Sequence, residues 1–169
     1  MTARQCGTCT LCCKVLGIGA LDKPSGQWCP HCQPGKGCTI YDQRPQECRT
    51  FSCDWLRNEA LGPEWKPEKS KIVMTSTDGK IIAYVDPSSP TQWRKSPFFE
   101  RLTALMQAAL PDGILVYVAV ANHYTLLLPD RQEEIGRIGP ADQVILKSFR
   151  TPMGLRYEVE VLRHGSRSE

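Results

Sequence analysis

Beyond Cys53 the sequence contains no cysteine, and no stretch approaches the roughly 20 apolar residues that a membrane-spanning helix needs. The opening string MTARQCGTCT has neither the charged head nor the apolar run of a secretory signal, so a cytoplasmic protein with no membrane partner is expected. Catalytic signatures are missing too. There is no Ser/His/Asp set, no phosphate-cradling glycine loop and no paired carboxylates, so no catalytic constellation is identified and a nucleotide site is not indicated. The H-x-E and P-C-x-x-C strings of zinc deaminases are absent. Histidine is scarce: His31, His123 and His164 are scattered, and only His31 lies near cysteines, in what reads as an exposed loop.

What the chain does have is nine cysteines, all between Cys6 and Cys53. In a short secreted protein such density would mean a disulfide scaffold. Here the count is odd, an export signal is lacking, and the cytosol keeps thiols reduced, so the pattern points to metal binding. The formal charge of +3 counts every thiol as neutral. A Zn(Cys)4 site carries −2, so two such sites would take the total to −1, and nucleic acid is not an expected partner. The basic string Arg163-His164-Gly165-Ser166-Arg167 reads as a frayed terminus.

Two unlike parts are expected. Residues 1–57 are rich in Cys, Gly and Pro with no sustained period, and a segment this small needs a metal core to offset its ordering entropy. Residues 58–70, NEALGPEWKPEKS, read as a polar connector. Residues 71–165 read as a β-sheet and helix domain. KIVMTST and KIIAYVD flank the turn pair Asp78-Gly79, ILVYVAV and HYTLLLP flank Ala121-Asn122, and QVILKSF and LRYEVEVL flank TPMG. Between the first two pairs, Ser96 and Pro97 suggest a cap and first turn for a helix carrying Phe98, Leu102, Leu105, Met106 and Ala109, ended by Pro111. The order β-β-α-β-β-β-β implies an α+β fold, a Cys-rich irregular module packed on an antiparallel sheet with one main helix.

Within the module, CGTCTLCC supplies Cys6, Cys9, Cys12 and Cys13. Two-residue gaps let both sulfurs of a Cys-x-x-Cys turn reach one metal. The adjacent Cys12 and Cys13 diverge, so either one stands behind the ligands or the pair sits between two centres. The second set is Cys29, Cys32, Cys38, Cys48 and Cys53, with Pro30, Pro34, Gly35 and Gly37 suggesting tight turns. Arg44, Arg49, Lys14 and Lys36 could offset thiolate charge, and Trp28, Tyr41, Phe51 and Trp55 read as packing around the metal. Cys29-Pro30-His31-Cys32 matches the dithiol of oxidising thioredoxin-fold enzymes, but QPGKG follows it where that chemistry needs a helix.

Cys6-x-x-Cys9-x-x-Cys12-Cys13, then Cys29-Pro30, Cys38-Thr39-Ile40-Tyr41 and Arg44-Pro45-x-x-Cys48-Arg49-x-Phe51, resemble the string of the CxxCxxCC proteins, a zinc- or iron-chelating family. The resemblance covers the first third of the chain and implies that Cys6, Cys9, Cys12, Cys13, Cys29, Cys38 and Cys48 are metal ligands or their neighbours. Cys32 stands where a leucine is common in the family, and Cys53 is expected as the eighth ligand because a short turn could aim it and Cys48 at one centre. Eight sulfurs would satisfy two zinc ions, or a [4Fe-4S] cluster plus a zinc. Flagellin lysine N-methylases share this cysteine domain, so the resemblance also implies an alternative: an iron–sulfur enzyme using S-adenosylmethionine. A third reading is a zinc-thiolate redox switch, in which oxidation releases the metal.

Overall fold

The protein is described by a computed structural model covering residues 4–77 and 79–164. Its N-terminal third holds only short elements: α1 (Cys12–Val15), the two-residue strands β1 (Cys32–Gln33) and β2 (Gly37–Cys38), α2 (Gln46–Thr50) and α3 (Asp54–Arg57). α1 forms because Leu11 and Val15, one helical turn apart, bury together against Val73 of the sheet. The next short helix, α4 (Pro67–Ser70), falls in the stretch expected as a polar connector. That stretch is folded onto the core instead. Leu61 and Trp65 are both buried, and Trp65 meets Phe98 edge-on at 4.9 Å. Burying one such side chain contributes about 1.5–3 kcal/mol, enough to hold a short segment against the sheet.

The main sheet contains β3 (Ile72–Thr77), β4 (Lys80–Val85), β5 (Leu115–Val120), β6 (His123–Leu127) and β7 (Gln132–Gly136), in that spatial order. The fold is α+β with a five-stranded sheet, but the sheet is mixed where an antiparallel one was expected: β4 and β5 run parallel. The cause lies in the link. Helix α5 (Phe98–Ala109) and its flanking turns carry the chain back to the end where β4 began, so β5 restarts in the same direction. β7 was not expected, since QEEIG offers only one apolar side chain, Ile135. β8 (Gln143–Thr151) and β9 (Gly154–Leu162) pair with each other as a separate ribbon.

The expected hairpins are present. Thr77 pairs with Lys80, although Asp78 of that turn lies outside the described residues, and Val120 pairs with His123. The expected Ser96 cap is not formed. The first amides of α5, at Phe98 and Phe99, donate to the Lys95 carbonyl, which leaves a serine side chain nothing to satisfy. Of the expected frayed terminus, residues 165–167 lie outside the described residues. Arg163, by contrast, is held: its guanidinium donates to the carbonyls of Arg137 and Ile135.

Strand alternation gives the sheet two different faces. On one, Ile72, Met74, Val85, Val116 and Val118 pack under α5 through Leu102 and Met106. On the other, the ribbon covers Tyr117, Leu126 and Ile135 with Val144, Leu146, Tyr157, Val159 and Val161. The Cys-rich module covers the β3 end of that same face through Leu11, Val15 and Cys53 on Val73. Polar contacts fix the docking: Lys14 Nζ to Asp86 at 2.6 Å, Ser76 Oγ to Asp54 at 2.6 Å, and Ser25 Oγ to the Ala121 carbonyl at 3.1 Å.

Candidate metal centre

Local turns and one short helix place several of the cysteines. The Cys9 amide donates to the Cys6 carbonyl at 3.0 Å and the Cys32 amide to the Cys29 carbonyl at 2.9 Å, so these two of the three Cys-x-x-Cys segments are closed turns. Gln33-Pro34-Gly35-Lys36 is a type II turn, with φ of +73° at Gly35 and the Lys36 amide on the Gln33 carbonyl. It returns the chain so that Cys38 pairs directly with Cys32. Cys48 rides on α2, behind Pro45. The segments are stitched to one another by Gly35 N to Thr10 Oγ1 at 3.0 Å and Ala20 N to Glu47 at 2.9 Å.

Eight of the nine cysteines, Cys6, Cys9, Cys12, Cys13, Cys29, Cys32, Cys38 and Cys48, line the wall of one cavity of about 680 Å³. Cys53 is not among them. It packs at the start of α3 within the apolar cluster of Leu11, Val15 and Val73. The expected set included Cys53 and omitted Cys32; the cavity wall includes Cys32 and omits Cys53. All nine thiols are free. Among the described residues no three Cys, His, Asp or Glu side chains stand as a ready-made metal site. The chemistry of the donor set nonetheless suits a soft metal, since eight of the residues lining the cavity are cysteines.

The thiols perturb one another. A hydrogen bond from Cys12 lowers the Cys13 thiol to about 6 against the opposing effect of burial, helped by Cys32, Lys23 and Arg44. The same contact raises Cys12 far above the ordinary thiol range. Burial pushes Cys32 up to about 12, and the neighbouring Cys13 adds to it. Burial also raises Cys6, with Cys9 contributing, and Cys48, with Glu47 contributing. Cys53 is raised by burial, opposed by the Leu56 amide, and raised further by Cys6 and Cys9. One negative charge therefore makes the next more costly around this wall, which is the repulsion a bound cation relieves.

Of the cations noted in the sequence, Arg44 reaches the cavity, its guanidinium 3.6 Å from the Tyr41 ring centroid. Arg49 instead braces the loop by donating to the carbonyls of Arg44 and Asp42. Lys14 is taken by Asp86. Phe51 and Trp55 pack beside the cysteines as expected; Tyr41 lines the cavity although its ring is largely exposed, and Trp28 is exposed and does not line it. His31 is half-exposed and does not line the cavity.

Sequence reasoning missed Lys23. It is only 5% exposed, and its ammonium donates to the carbonyls of Lys14, at 2.9 Å, and Leu16. Burial lowers its pKa while Cys29 and Cys13 raise it, so a buried positive charge lies behind the sulfur wall. A lone lysine carries no sequence signal for this. Also missed were Thr75, Tyr84 and Tyr124, which close the cavity from the sheet. Their outward alternation is visible in the strands, but what they face is not. No protein-family model, no curated protein and no solved structure matches this chain.

Proposed function

We propose that this chain is an intracellular metal-binding protein that holds zinc or an iron–sulfur cluster through Cys6, Cys9, Cys12, Cys13, Cys29, Cys32, Cys38 and Cys48. The observation that carries the reading is the placement of these eight cysteines, from four separate stretches of chain, along the wall of one cavity. Apolar burial alone would not arrange them so, because a buried structural cysteine behaves as a small hydrophobe, as Cys53 does. The ordered string shared with the CxxCxxCC proteins supports the same reading. Thiolates bound to a metal replace the mutual repulsion of the free thiols with attraction, and that free energy is folding energy for a module poor in regular structure. Zinc would supply a structural tie there, and an iron–sulfur cluster would add one-electron chemistry.

The test is elemental analysis of protein purified without air, with sulfide and iron determined alongside zinc. The expected result is at least one zinc, or one iron–sulfur cluster, per chain. Protein free of both metals overturns the reading.

A further inference from the structure

Cys32 and Cys38 are direct partners across the antiparallel pair β1–β2. Their position in the ladder is defined by the bond beside them. The Thr39 amide donates to the His31 carbonyl at 2.8 Å, so residues 31 and 39 lie across a hydrogen bond, and the next pair inward, Cys32 and Cys38, is of the non-hydrogen-bonded kind. That is the closer of the two kinds of pair, with Cα atoms about 4.5 Å apart and side chains on the same face. A disulfide needs a Cα separation of about 4.4–6.8 Å. The separation typical of such a pair falls within that range.

From this register we infer that Cys32 and Cys38 are an oxidisable pair, which a peroxide converts to a cross-strand disulfide. A peroxide oxygen adds to one thiol, giving a sulfenic acid and water. The second thiol then attacks that sulfur and expels a second water. The two thiols lose two electrons and two protons, and the peroxide is reduced to two waters. Both cysteines are half-exposed and so within reach of a small oxidant. Of the other thiols beside Cys32, Cys29 in its Cys-x-x-Cys turn is buried, and the half-exposed Cys13, which accepts a hydrogen bond from Cys32, is the competing partner that the linkage map separates from Cys38. That turn also leads into β1 rather than a helix, so it lacks the feature that makes such dithiols reactive. Closing the bond withdraws two sulfurs from the cavity wall. The consequence, release of metal on oxidation, rests on the metal-binding reading above; the disulfide itself does not.

The experiment is peroxide titration of the full chain, both as purified and after metal removal by a chelator, followed by thiol alkylation and mapping of linked peptides by fragmentation mass spectrometry. The expected product has lost two of its nine alkylatable thiols, and its main linkage is Cys32–Cys38. In the metal-loaded protein, metal is released in proportion to the bond formed. Cys32→Ser and Cys38→Ser each remove the linkage, and Cys53→Ser keeps it. A main linkage between any other two cysteines, or oxidation that leaves Cys32 and Cys38 alkylatable, overturns the inference without need of a variant. Protein without metal overturns the metal reading, and the linkage map still decides the disulfide.

Discussion

The backbone amide of Cys29 donates to the carbonyl of Cys13 at 3.0 Å. This bond joins the helix of the first cysteine cluster to the loop of the second through main-chain atoms alone. Replacing a sulfur removes a donor without touching this main-chain bond, so loosening of the module in a single Cys→Ser variant follows from the lost metal.

Cys48→Ser and Cys9→Ser should each lose metal, and by the cavity wall so should Cys32→Ser. Cys53→Ser should retain it, because Cys53 packs into the apolar cluster behind Cys9 and Cys12 and does not line the cavity. Metal-to-protein ratios of the four variants check this. Retention by Cys32→Ser together with loss by Cys53→Ser would restore the division expected from the sequence.

Chelation should unfold the module and spare the sheet. Amide hydrogen exchange of residues 4–57 is expected to accelerate on metal removal, while β4 and β5, paired along their whole length and buried beneath α5, keep their protection. Uniform acceleration across both parts would show that the sheet also depends on the metal.

Gly26 sits where the module meets the Ala121 turn. A Cβ there would lie 2.8 Å from the Ala121 Cβ and 3.1 Å from Pro87, at a φ of +83°. Gly26→Ala should cost about 1–3 kcal/mol by overpacking and strain. Gly19→Ala, with open space and ordinary φ, should be close to neutral. Urea denaturation of the two variants makes the comparison.

Asp86 should make docking sensitive to acid. Burial opposes its ionisation, but the Lys14 ammonium at 2.6 Å and the Ser88 amide and hydroxyl outweigh that and hold its carboxyl below the usual range. A depressed folded-state value means the contribution is fully present above the unfolded value of about 3.9 and is lost as pH falls through the folded one. The difference in urea midpoint between wild type and Asp86→Asn should accordingly shrink as pH falls below about 4. A constant difference across that range would remove Asp86 ionisation as the cause.

The contrast between the chain's two parts comes from local information. Cysteine crowding, the alternation in KIIAYV and LVYVAV, the helical spacing of Phe98, Leu102 and Met106, and the Pro-Gly turn before Cys38 all act within a few residues, and each yields its element. The parallel pairing of β4 and β5, the insertion of Trp65 into the core, and the division of one sheet face between module and ribbon depend on contacts between residues far apart in sequence. So does the wall of sulfur. Spacing brings Cys6 to Cys9 and Cys29 to Cys32, but whether Cys32 or Cys53 faces the cavity is decided by which side of a ladder or short helix turns toward the sheet. A one-residue shift reverses that, and only packing against Val73 and across from Cys38 selects it.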